Sequence, residues 1–68
     1  MTVAESIVYL LVERNGGLKA DQIAEEINRR RLHVRKDGQP VSVKQVWHEV
    51  FAHPDMFTST TGRIFLMI

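Results

Sequence analysis

The sequence contains no cysteine. That excludes disulfides and thiolate metal sites, and it fits the expectation of a cytoplasmic protein. It has no apolar run near the ~18 residues a membrane helix needs, so no membrane partner is expected. The opening Met1-Thr2-Val3-Ala4-Glu5 lacks the basic segment of a secretory signal. A strong charge of either sign is also missing: nine Lys and Arg against eight Asp and Glu leave a net +1. Dedicated DNA-binding domains usually carry a clearer basic footprint than that. There are only two prolines and one tryptophan, and no repeat or low-complexity segment. At 68 residues the chain is one domain, residues 1–68, with a single core. It is too short for an enzyme cleft with a supporting shell, so no enzyme and no cofactor is expected.

What is present is a run of helix signals. Thr2 and Glu5 make a T-x-x-E capping box, which starts a first helix near Val3. Val3, Ile7, Leu10, Leu11 and Arg14 fall on one face, Val8 and Val12 nearly opposite. That helix is apolar almost all round, which predicts burial on more than one side. Asn15-Gly16-Gly17 ends it. Leu18-Lys19 reads as a very short strand. A second helix spans about Ala20 to Arg31, with Ala20, Ile23, Ala24 and Ile27 as its apolar stripe. Asp21 near its start and Arg29 to Arg31 near its end suit the helix dipole. Residues 33–41 form a loop with a tight-turn signal at Asp37-Gly38. Pro40 bars a helix there. Ser42 and Gln45 form a second capping box. Val43, Val46, Trp47, Val50 and Phe51 then share one face of a third helix, which Pro54 stops near His53. The last stretch reads as two short strands around Gly62. Three helices and a hairpin can bury one core, with Trp47, Phe51, Ile64 and Leu66 expected at its centre.

With that apolar face inward, Lys44, Gln45, His48, Glu49 and Ala52 point outward on the third helix. Lysine and glutamine can contact phosphate or base edges, and glutamine pairs bidentately with adenine. Ser42 and the amides at the helix start can hold a phosphate. A plain solvated face, with Ser42 and Gln45 only capping, accounts for the same residues, and Glu49 would oppose phosphates. Arg31, Arg35 and Lys36 flank the loop and can anchor a DNA backbone. Glu25–Arg29 and Glu26–Arg30 are i,i+4 pairs worth ~0.2–0.5 kcal/mol each, which leaves Arg35 and Lys36 the freer cations. Thr60, Thr61 and Arg63 sit at the hairpin tip, where hydroxyls and a guanidinium reach phosphate or the minor groove. A polar turn uses the same residues without function. His33, His48 and His53 are too scattered for a metal site: His48 and His53 miss the i,i+4 spacing that sets two ligands on one helix face. Tyr9, Val8, Val12 and Met56 supply apolar surface that is either core or a partner patch.

The segment Asn15-Gly16-Gly17-Leu18-Lys19 followed by Gln22-Ile23-Ala24-Glu25-Glu26-Ile27 resembles the opening of HARE-type helix-turn-helix domains. There a glycine-leucine step leads into a helix reading roughly "IAEEI". Arg35 to Ser42 resembles the family's loop into the third helix. His53-Pro54-Asp55-Met56-Phe57 and Gly62-Arg63-Ile64-Phe65-Leu66 resemble its close. The likeness runs over nearly the whole chain and rests on the order and spacing of short motifs. It implies a non-catalytic winged helix from the setting of bacterial restriction and DNA-modification proteins, chromatin regulators or the delta subunit of bacterial RNA polymerase. Such domains bind DNA or dock onto a DNA-bound machine. The loop of about nine residues is longer than the turn of about 3–4 in the simplest helix-turn-helix.

The expectation is therefore an α+β, mainly α, three-helix winged helix-turn-helix with a C-terminal two-stranded β-hairpin wing. Its partner would be double-stranded DNA, read by Arg31, Arg35, Lys36, Ser42, Lys44, Gln45, His48, Thr60 and Arg63. A DNA-binding protein of this kind would associate with the nucleoid. The competing expectation is a protein-docking module that uses the apolar first helix. The chain ends in Leu66-Met67-Ile68 as if cut at the last strand, and a protein partner or a covalently linked catalytic domain is the further partner expectation.

Overall fold

The computed structural model describes residues 1–67. Its elements run α1 (Val3–Arg14), β1 (Leu18–Lys19), α2 (Ala20–Arg30), α3 (Val43–Ala52), β2 (Phe57–Thr60) and β3 (Arg63–Leu66). The result is an α+β, mainly helical domain with a winged-helix layout. Among the described residues no helix is long and apolar enough to cross a membrane. The C-terminal hairpin forms, but it is not a free two-stranded wing. β1 adds to it as a third strand, giving the antiparallel order β1-β3-β2. Leu18 lies opposite Ile64 and Lys19 opposite Arg63. Thr61 and Gly62 both have positive φ, 51° and 79°, the type I′ geometry that matches strand twist in a two-residue hairpin.

Local chemistry sets the helix ends. The Thr2 hydroxyl accepts from the Glu5 N–H at 3.1 Å, and Glu5 Oε1 accepts from the Thr2 N–H at 2.8 Å. The expected box is thus complete. α1 ends with Asn15 at φ 53°, donating to Leu11 and Val12 carbonyls. Asparagine, not the following glycines, takes the left-handed position. Gly17 has a different reason to be glycine. A Cβ there would run into the Phe65 ring, which packs against the turn. α2 closes one residue earlier than expected, with Arg31 as its left-handed cap at φ 53°.

The core forms where the three helices meet the sheet. Ile7, Leu10, Ile23, Ile27, Val46 and Ile64 are its fully buried side chains. Each contributes on the order of 1.5–3 kcal/mol of burial. Ile64 was expected at the centre and is there. Trp47 and Leu66 are only half-buried, packed against the core's edge. Phe51 is 70 % exposed and Val43 41 %, so both leave the core. α3 is rotated from the orientation its apolar arc suggests. α1 and α2 cover the Val46–Val50 line, and Phe51, one residue or about 100° further round, falls outside it.

Candidate functional site

The rotation of α3 decides what it shows to solvent. Lys44, His48, Phe51 and Ala52 are exposed, with Trp47 at the margin. Gln45 and Glu49, expected outward, are half-buried on the other flank. Gln45 Oε1 has neither solvent nor a hydrogen-bond partner among the described residues. In this rotamer its amide is not available for a bidentate base contact. The second capping box is half-formed for the same reason. Ser42 Oγ accepts from the Gln45 N–H at 3.1 Å, but the Gln45 side chain does not answer. The Val43 and Lys44 amides remain among the helix-start donors that have no intrahelical acceptor.

Five of the expected contact residues do come together. Arg35, Ser42, Lys44, Gln45 and His48 surround one shallow concavity of about 330 Å³ at the start of α3. Asn28 positions that end of the helix. Its Nδ2 donates to the Val41 carbonyl at 2.9 Å, and its Oδ1 accepts from the Val41 N–H at 2.8 Å. The other expected residues lie elsewhere. Arg31 borders a separate concavity with His33, Val34, Gly38, Gln39 and Pro40. Lys36 is exposed in the loop, and Thr60 is exposed where the hairpin turns. Arg63 is exposed too, but its Nη1 reaches back to the Gly17 carbonyl at 3.4 Å.

Charge pairing differs from the local expectation. Arg35 is not a free cation: its Nη2 lies 2.7 Å from Asp37 Oδ2. The Gln39 N–H and then Arg35 hold the Asp37 carboxyl below its usual range. Glu25–Arg29 does not form. Arg29 instead pairs with Glu26 at 2.7 Å and lowers that carboxyl. Arg30 keeps the expected Glu26 as a distant partner at 3.8 Å. Its closer partner is Glu13 of α1 at 2.5 Å, and it also lies over the Tyr9 ring, 5.5 Å from the centroid. Arg30 is therefore a tie between α1 and α2. Among the described residues, Arg31, Lys36 and Lys44 make no ion pair.

One feature escaped the sequence reading. Trp47 and Phe51 stack with centroids 5.6 Å apart and planes at 20°, on the outward side of α3. Val43, Trp47 and Phe51 lie at i, i+4 and i+8 on the same apolar arc as Val46 and Val50, so spacing alone does not separate the exposed line from the buried one. Compared with known proteins, the chain matches no family model, no curated protein and no solved structure.

Proposed function

We propose that the chain is a non-catalytic, double-stranded DNA-binding module similar to HARE-type winged helices. The parent protein would act in DNA modification, restriction or transcription, and a linked catalytic domain would then supply any chemistry. The observation that carries this reading is the concavity at the start of α3. There Arg35, Ser42, Lys44 and His48 converge beside the positive end of the helix dipole. α3 would enter the major groove, with Arg31, Lys36, Thr60 and Arg63 against the backbone. Gln45 would read a base only after changing rotamer.

A fluorescence-anisotropy titration with duplex DNA across a salt series tests it. About four phosphate contacts give a log–log slope near −3 to −4. Absence of binding at low salt, or a flat slope, overturns the reading. A second reading, protein docking through α1, has its own support. Val12 is 62 % exposed and Tyr9 43 %, and a groove between α1 and β3 is lined by Leu11, Val12, Phe65 and Leu66. Chemical-shift mapping separates the two. DNA moves Lys44 and His48, whereas a protein partner moves Val8, Tyr9 and Val12.

A further inference from the structure

We propose that the Trp47–Phe51 stack is a platform for an unpaired nucleobase, so that the α3 face binds single-stranded nucleic acid as well as duplex. This rests on the reading of α3 as a nucleic-acid surface and adds a ligand class to it. A stacked pair of aromatic rings at the surface offers a large apolar contact area with a defined geometry. Phe51 is 70 % exposed although it belongs to a helix with a well-formed buried face. One side of its ring leans on Trp47 in a near-parallel stack, and the rest is open to solvent.

The surroundings select the occupant. Lys44, Trp47, His48 and Phe51 are spaced i, i+3, i+4 and i+7, which sets them side by side on one helix surface. His48 therefore lies one turn from Phe51, and Lys44 lies one turn from both Trp47 and His48. The only acid of α3, Glu49, lies on the other flank, half-buried and 3.8 Å from His53. A basic side chain beside an aromatic face is the pairing by which proteins hold single strands, with phosphate on the cation and a base stacked on the ring. Here Lys44 is the cation and the imidazole of His48 a second hydrogen-bonding group. An apolar protein partner would gain nothing from the Lys44 ammonium. B-form DNA keeps its base faces internal, so the stack has no use in a duplex, where only methyl and edge contacts are available.

The test titrates the whole chain, near 50 mM salt, with three DNA ligands of about 12 nucleotides. These are a single-stranded oligo(dT), an abasic strand with the same phosphates, and a blunt duplex, with the RNA counterpart of the first as a fourth arm. Trp47, the only tryptophan, reports stacking by its fluorescence, and anisotropy reports affinity. The base-bearing strands should bind about 5- to 150-fold more tightly than the abasic strand. Phe51→Leu keeps the apolar bulk over Trp47 but loses the ring, so it should remove that advantage and leave duplex binding unchanged. Phe51→Tyr should restore it. Equal binding of base-bearing and abasic strands, or no effect of Phe51→Leu, overturns the platform while duplex binding still supports the wider reading. No binding of any ligand overturns both. A difference between the DNA and RNA arms identifies which sugar the platform prefers.

Discussion

Arg31 combines two properties that conflict. It caps α2 in the left-handed conformation at φ 53°, where an L-residue pays ~1–2 kcal/mol. Glycine adopts that conformation freely but loses ~0.5–1 kcal/mol more on ordering. Arg31→Gly should therefore stabilise the domain by about 0.5–1 kcal/mol in urea denaturation, with Arg31→Ala neutral or slightly worse. If Arg31 holds a phosphate, both variants should lower the salt slope for duplex DNA by about 0.9. An unchanged slope removes Arg31 from the interface. Phe51 shows the opposite case, a side chain whose presence the core does not require. Periodicity could not reveal this. The arc from Val43 to Phe51 is wider than the strip that α1 and α2 can cover, and a sequence shows the arc, not its cover. A 68-residue domain lacks the material to bury every apolar side chain.

The elements themselves were legible because their signals are local. The Thr2–Glu5 box, the breaks at Asn15 and Pro54 and the Thr61-Gly62 turn each act within a few residues. Contacts between elements were not legible in the same way. Glu13 with Arg30, Gly17 against Phe65 and Asn28 with Val41 depend on how helices cross and loops return. The last of these fixes α3, since Asn28 holds both backbone groups of Val41, directly before the helix cap. Val41 is itself only 3 % exposed, so water cannot fully replace those bonds. Asn28→Ala should cost about 1–3 kcal/mol in urea denaturation. Asn28→Asp keeps the acceptor for the Val41 N–H but loses the donor to its carbonyl, and it should fall between. A loss below ~0.5 kcal/mol for Asn28→Ala would mean that loop packing alone positions α3. The candidate site was legible to the same degree: Lys44 and His48 by their place on a helix, the pairing of Arg35 with Asp37 only from the loop's shape.

The buried side chains come from every helix and strand and from the loop before α3. Val3 to Leu11 enter from α1, Leu18 from β1, Ala20 to Ile27 from α2, Val41 from the loop, Val46 and Val50 from α3, and Phe57 and Ile64 from the hairpin. No element has a private core. β1, only two residues long, joins the sheet through β3, and the hairpin packs through Ile64 against helices far from it in sequence. A hairpin alone is marginal in water, so the sheet should not outlast the helices, nor the helices the sheet. This predicts a single cooperative transition. Trp47, half-buried at the edge of the core, reports tertiary packing, and the circular dichroism at 222 nm reports the helices. Their urea curves should superimpose with one midpoint and one slope. Separate midpoints, with Trp47 fluorescence changing before helicity, would show that α3 and the sheet detach from α1 and α2 as a unit. The ties from Glu13 to Arg30 would then hold a two-helix remnant. Because that pair is exposed and salt-screened, the remnant should vanish in high salt, which distinguishes it from a second apolar core.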